Sequence, residues 1–359
     1  MNLRVHGYVL PEVKEQDVYI VNGRITFQEI DEAQTVVRGG FILPGLVDAH
    51  AHLSLNSPAD DEALPQERVR ASARAHLQAG VLVIREPGSP DYASKGIGPA
   101  EGLPRIQSAG RFLAPPEGYF PGLAREVGEE GLAQAAEEEA RKSGAWAKVI
   151  GDFFGNDGRF RPNFGLEALT EATRRVHEVH GRIAMHAVTS EAIELAIEAG
   201  FDSIEHATML SASHIAEMAR RKIALVPTMV IRDDVLELVK GLGVPADEFG
   251  KVEKAVREQA GMVRKAAEAG VLLLAGTDAG MVPHGIVREE IESFIEAGIS
   301  PEIALGAGSW SARKYLGYPG IEEGAYADLV VFGKNPVTHT GILKNPAFIM
   351  LDGRQVYPS

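Results

Sequence analysis

The sequence predicts an α/β protein: a (β/α)8 barrel of the TIM type with a small β-sandwich domain formed by both chain ends. Three observations carry this. Apolar strand-like runs alternate with helical patterns through the middle of the chain, which marks a parallel sheet. Short runs with tight-turn dipeptides occupy both ends. Four of the central runs close on histidine or aspartate, at the strand ends where such barrels build their sites.

The elements follow in order. Within residues 1–40, the run 17–21 leads into Asn22-Gly23, a favoured hairpin pair, and 35–38 precedes Gly39-Gly40. The central strands are expected at 41–47, 81–85, 105–109, 146–151, 183–186, 203–206, 224–227 and 271–275, eight in all. Helical patterns fill 66–78, 129–143, 166–180 and 190–199. Thr170-Glu171 and Ser190-Glu191 supply helix-start chemistry, and Gly80, Gly144, Gly181, Gly200 and Gly270 supply stops. The segments 115–128 and 153–165, rich in Pro, Gly and aromatics, read as loops over the site, and 230–265 as a helical excursion. At the C-terminal end, strands at 327–332 and 347–351 are followed by Asp352-Gly353 and 355–357. Neither end has enough strands to bury a face alone. Residues 1–40 and 322–359 are therefore expected to pair as one domain, leaving 41–321 to the barrel.

Length and composition agree. A barrel commonly takes about 250 residues, so a chain of 359 has room for a second, small domain. Hydrophobic residues make up 45%, enough for a full core, and no apolar run reaches the roughly 18–20 residues of a membrane span. No apolar signal region follows Met1, so a cytoplasmic location is expected. A formal charge of −14 argues against a nucleic-acid partner, which needs a basic footprint. The absence of cysteine excludes disulfides and thiolate metal ligands. The expected partner is a small-molecule substrate, with a homo-oligomer left open.

Residues two apart on a strand point the same way, so His50 and His52 in FILPGLVDAHAHLSL project side by side from a strand end. The runs ending in His186, His206 and Asp278 add three more metal-type donors to the same face of a barrel. Lys148 lies inside an apolar strand, where an unpaired ammonium is costly and tends to lose its proton.

This pattern resembles the amidohydrolase superfamily of metal-dependent hydrolases, in its imidazolonepropionase-like and Xaa-Pro dipeptidase-like branch. The resemblance rests on PGLVDAHAHL (44–53), AKVIGD (147–152), MHA (185–187), IEHAT (204–208), GTDAG (276–280), HG (284–285) and GAYADLVVFGKNP (324–336). It covers nearly the whole chain. It implies metal ligation by His50, His52, Lys148, His186, His206 and Asp278, with Lys148 carboxylated on the fourth strand as an anionic bridge. Zn²⁺ is the default for imidazole and carboxylate donors in a hydrolysis, two ions per chain. Asp278 would act as general base and then acid, taking a proton from a metal-activated hydroxide source and passing it to the leaving amine.

The expected reaction is cleavage of an amide C–N bond in a small dipeptide-like or N-acyl amino-acid substrate. Hydrolysis of a cyclic amide or lactone by the same centre is the alternative, and a catalytically silent binding barrel the reading from another class. His284, Arg85 and Tyr119 are candidate substrate contacts, Arg85 alternatively pairing with a loop acid. The alternative for Lys148 is a surface-reaching side chain or a pairing with Asp152, and for Asp278 a cap on the following helix. His177 and His180 are expected on an outer helix face, and His6, His76, His214 and His339 at the surface.

Overall fold

The computed structural model describes residues 2–60 and 62–357. Met1, Asp61, Pro358 and Ser359, which include the tips of the ranges 1–40 and 322–359, lie outside the described residues. The fold is mixed α/β.

Strands from both ends share one seven-stranded sheet, in the order Arg354–Tyr357, Phe348–Leu351, Leu329–Phe332, Gln34–Pro44, Leu3–Val9, Lys14–Val21 and Arg24–Thr26. Its two tight hairpins use Asn22-Gly23 (φ 51° and 78°) and Asp352-Gly353 (φ 52° and 75°). Positive φ at both central residues suits the right-handed twist of the flanking strands. The sheet then curls back on itself. Ile25 N donates to Ala325 O at 2.9 Å and Ala327 N to Gly23 O at 2.9 Å, joining the last strand to the segment that enters Leu329–Phe332. Val5, Val18, Ile20, Ile42, Leu329, Val331 and Met350 fill the interior. A single curled sheet thus occupies the place where a sandwich was expected.

Two sets of parallel strands form the centre. Leu46–Asp48, Val81–Glu86 and Arg105–Ser108 make one; Ala224–Val226, Ser203–His206, Arg182–Ala187, Trp146–Ile150, Phe112–Ala114 and Ala124–Glu126 make the other, in that order. A bridge between Ser89 and Arg111 links the sets, and bridges Leu225–Leu273 and Ala51–Ala279 continue the succession back to its first strand. Ala49 N to Ala275 O (2.8 Å) and Asp278 N to His50 O (2.7 Å) reinforce that return.

Two expected strands differ. The run 41–47 divides at Gly45: its first part belongs to the terminal sheet, and only Leu46–Asp48 joins the parallel set. Pro44 has no N–H for a ladder, Gly45 N is taken by Asp328 O (3.0 Å), and Leu82 packs against the Gly45 backbone. The run 271–275 forms a bridge rather than a full strand, because Ala275 N turns to Ala307 O instead of a neighbouring strand.

Helices Pro65–Gln78, Glu129–Ser143, Leu166–Glu178 and Ser190–Ala199 lie where the periodicity placed them. Their starts differ in detail. Thr189 caps the last by accepting from Ala192 N, and Thr170 sits inside its helix, donating to Leu166 O. Within the loop-like segments, Ala124–Glu126 adds an edge strand and Asp152–Phe154 pairs with Phe160–Pro162 as a hairpin. The excursion is two helices, Arg232–Gly241 and Ala246–Glu268. Phe154 and Phe160 of the hairpin pack on Val239, Val252 and Val256 of these helices, roofing the open ends of the strands. Among the described residues, no helix is long and apolar enough to cross a membrane.

Candidate metal centre

His50 and His52 follow the strand Leu46–Asp48, and their Nε2 atoms lie 3.2 Å apart. Asp278 Oδ1 stands 3.3 Å from the first and 3.1 Å from the second. His206 completes a compact group: ligand atoms of His50, His206 and Asp278 all lie within 4.8 Å of one another. The His186 ring is 4.7 Å from that of His206. Left-handed backbone at His206 (φ 66°) and Asp278 (φ 54°) turns both side chains off their strand ends; such strained non-glycine positions cluster at functional sites.

The partners on the far side of each ring fix what the near side offers. His50 Nδ1 donates to Glu205 Oε2 at 2.8 Å, and His52 Nδ1 to the Gly88 carbonyl at 2.7 Å. Both partners only accept, so each Nδ1 carries a proton, and a neutral ring in this tautomer presents its Nε2 lone pair. Two lone pairs and a carboxylate oxygen therefore face one another within 3.3 Å with no donor between them. That donor set fits a cation.

Lys148 sits on the central strand Trp146–Ile150, fully buried, and its Nζ has no hydrogen-bond partner among the described residues. Burial, with the charge of Arg85 adding to it, brings its pKa down to about 8 against the opposite pull of Glu205 and Asp278. The pairing with Asp152 does not occur. Asp152 instead accepts from Val188 N, Thr189 N and Thr189 Oγ, and lies 3.7 Å from His186 Nε2. Burial, then the charge on Lys148, takes His186 down to about 3, leaving a neutral ring. Burial alone would raise Asp278, but its close imidazole neighbours, His50 first and then His52 and His206, hold it well below the usual carboxylate range.

These groups floor a cavity of about 110 Å³. Phe112, Tyr119, Phe153 and Phe160 wall one side, and Ile231, Val235 and Val239 another. Tyr119 therefore lies where a substrate contact was expected. Its ring is 6.1 Å from His186, and burial, then the charge of Asp278, raises its pKa, so the hydroxyl keeps its proton.

Two expected contacts fall elsewhere. Arg85 is fully buried beneath the centre and does not reach the cavity. It donates to Glu205 Oε2 (2.6 Å), Ser203 Oγ (2.8 Å) and Ala49 O (2.6 Å), because a guanidinium on an inward-facing strand position needs an internal partner. His284 bonds Leu55 O (3.0 Å) and the His76 ring (3.3 Å), which uses both its nitrogens. His76, expected at the surface, is fully buried behind it, and His214 is nearly so, paired with Ser211 at a helix start. His6 is half-buried against Asp17, whereas His177, His180 and His339 are exposed.

Sequence reasoning missed the residues that hold the ligands. Glu205 orients His50, Thr228 Oγ1 meets His206 Nδ1 at 2.8 Å, and Asp48 accepts from Thr277 Oγ1 (2.6 Å) and His50 N (3.1 Å). The signal for Glu205 and Asp48 was present: each is a carboxylate in a strand-like run, Asp48 between Val47 and Ala49 and Glu205 between Ile204 and His206. Thr228 carried none.

The amidohydrolase family profile matches residues 41–356. The chain belongs to the amidohydrolase family. It is accordingly a hydrolase of carbon–nitrogen bonds, and the family implies a divalent metal centre. Uncharacterised proteins of Mycobacterium tuberculosis and Mycobacterium bovis are each 35% identical over 364 residues, covering 100% of this chain and 96% of the relative. Among solved structures, a Xaa-Pro dipeptidase with methionine in its active site superposes with TM-score 0.84 at 22% identity, over 99% of both chains. A prolidase complexed with N-methylphosphonate-L-proline gives 0.81 at 22%, over 99% of both. Ochratoxinase of A. niger gives 0.81 at 19%, over 99% of this chain and 95% of that one. These likenesses establish a shared fold.

Proposed function

We propose that this amidohydrolase cleaves the amide bond of a small dipeptide-like or N-acyl amino-acid substrate, within a (β/α)8 barrel flanked by the terminal β-domain. The observation that carries this is the donor-free cluster of two imidazole lone pairs and a carboxylate beside an unpartnered buried lysine, at the floor of an apolar-walled cavity. His50, His52 and Asp278 would hold one Zn²⁺ and His186 with His206 a second. Lys148, whose lowered pKa leaves a fraction of neutral amine able to take up CO₂, would bridge them as the anionic carbamate. When bound, the metal polarises the substrate carbonyl and lowers the pKa of water toward about 7.

The protein's own groups do the rest. Asp278 takes a proton from the attacking water and later delivers it to the departing nitrogen. Tyr119, protonated at any working pH, offers its hydroxyl to a substrate oxygen. The Phe154–Phe160 roof limits access of bulk water, and the apolar walls receive a hydrophobic side chain or acyl group. A Xaa-Pro dipeptidase with methionine and a prolidase with N-methylphosphonate-L-proline among the structural neighbours support the dipeptide-like substrate.

The deciding test is Asp278→Asn. Asparagine keeps the shape and one carbonyl oxygen but cannot shuttle a proton, so kcat should fall by roughly 10²–10⁴ while zinc content falls much less. A zinc-loaded variant retaining a tenth of the wild-type kcat on a dipeptide or N-acyl amino acid would remove Asp278 from this role.

A further inference from the structure

Beyond the catalytic floor, the cavity wall carries one feature that the proposed chemistry does not use. Two cations line the cavity, Lys148 below and Arg232 on the wall. Arg232 opens the helix Arg232–Gly241, between the apolar Ile231 and Val235. Its Nε donates to Met229 O at 2.9 Å, which orients the guanidinium, and neither Nη donates to an acceptor among the described residues. The other arginine near the centre, Arg85, is fully paired. Arg232 forms no ion pair among the described residues, and Glu290, on which its charge acts, spends its two oxygens on Met229 N (2.9 Å) and Val230 N (2.8 Å). A half-buried fork of donors on an otherwise apolar wall is suited to a carboxylate.

Gln259, on the helix Ala246–Glu268, lines the same cavity, and its amide orientation is fixed. Its Nε2 donates to His206 O (3.2 Å) and Pro227 O (3.0 Å), both pure acceptors, so Oε1 is left as an acceptor on the cavity side. Arg232 and Gln259 thus offer the cavity a cationic donor fork and one acceptor. An N-acyl amino acid presents the complement: a carboxylate and an N–H separated by one carbon.

We infer that Arg232, with Gln259 as a second polar group lining the same cavity, selects substrates bearing a free carboxylate next to the scissile amide, leaving the aromatic wall to the acyl side. This rests on the amide-hydrolase reading above and names the group that reading leaves open. Here Arg232 is a specificity residue; it takes no part in bond cleavage.

The test compares N-benzoyl-L-leucine with N-(3-methylbutyl)benzamide, which lacks only the carboxylate, using zinc-loaded wild type, Arg232→Met and Arg232→Lys. Wild type should prefer the acid in kcat/KM, chiefly through KM. Arg232→Met should shrink that preference by roughly 10- to 100-fold, as expected for losing charge-assisted hydrogen bonds, and Arg232→Lys should retain part of it. Titration calorimetry of both compounds with each protein reads the same discrimination without turnover. A wild type that treats the two alike in binding overturns the inference, as does an Arg232→Met protein that keeps the full preference. Discrimination in binding without hydrolysis of either compound would instead count against the amide reading and leave the Arg232 assignment standing.

Discussion

Glu205→Gln should separate the scaffold of the site from its chemistry. Glu205 is completely buried and accepts from Arg85 Nη2 at 2.6 Å, Ser203 Oγ at 2.6 Å and His50 Nδ1 at 2.8 Å. Burial would raise its pKa, but Arg85, Lys148 and His50 outweigh that and hold it well below the usual carboxylate range. Glutamine removes the anion and leaves Arg85 a buried charge without its counter-charge, at a cost of roughly 3–5 kcal/mol. Unfolding entropy of about 2.1 cal/mol/K per residue over 359 residues turns that into a fall in Tm of about 4–7 °C. The same change frees the His50 ring, which should weaken zinc binding by about 10- to 100-fold. Differential scanning calorimetry of the metal-free protein and competitive zinc titration give the two numbers. Arg85→Met combined with Glu205→Gln should recover most of the stability and none of the metal affinity, because only the ion pair is removed as a unit. Glu205→Gln with unchanged Tm would refute the buried-pair reasoning; a double variant no more stable than the single would refute the coupling.

Lys148→Met should retain the metal-free Tm or raise it, since the Nζ it removes is buried without a partner; the same variant should lose zinc in elemental analysis, with partial rescue by small carboxylates, and full metal with full rate would exclude the bridge. Gly45→Ala should cost about 1–3 kcal/mol by urea denaturation, because the new methyl would lie 2.6 Å from Leu82 Cβ at the junction of the two sheets; a neutral effect would mean the junction yields easily. Burial pushes Glu290 from 4.5 up to about 8, so its folded-state proton stabilises fully below pH 4.5 and that contribution is lost as pH rises through 8. Relative to Glu290→Gln, the wild type should therefore lose stability across that window in urea titrations at stepped pH, and parallel pH profiles would show that the site is not desolvated.

The alternation of apolar runs with helical periods, and the Asn-Gly and Asp-Gly turns at the two ends, were sufficient to place most elements. Those features are local: strand period, helix period and turn geometry depend on neighbours within a few residues. The same holds for His50, His52, His186, His206, Asp278 and Lys148, each in or just after an apolar strand-like run. What the sequence could not determine depended on contacts between distant segments. Pro44-Gly45 breaks a run that reads as one strand, because the two halves find different partners, Asp328 on one side and Val81 on the other. Arg85 reads as a strand-end cation free to meet a substrate, yet Glu205, 120 residues away, claims it inside the core. His76 and His284 are 208 positions apart and read as unrelated, yet they satisfy each other in a buried pair. Arg232 gave no signal, since a charged residue opening a helix is ordinary until the fold sets it on the wall of a cavity. Local chemistry marked the candidate ligands; burial and long-range pairing decided which remaining charges are spent inside the protein and which stay available to a substrate.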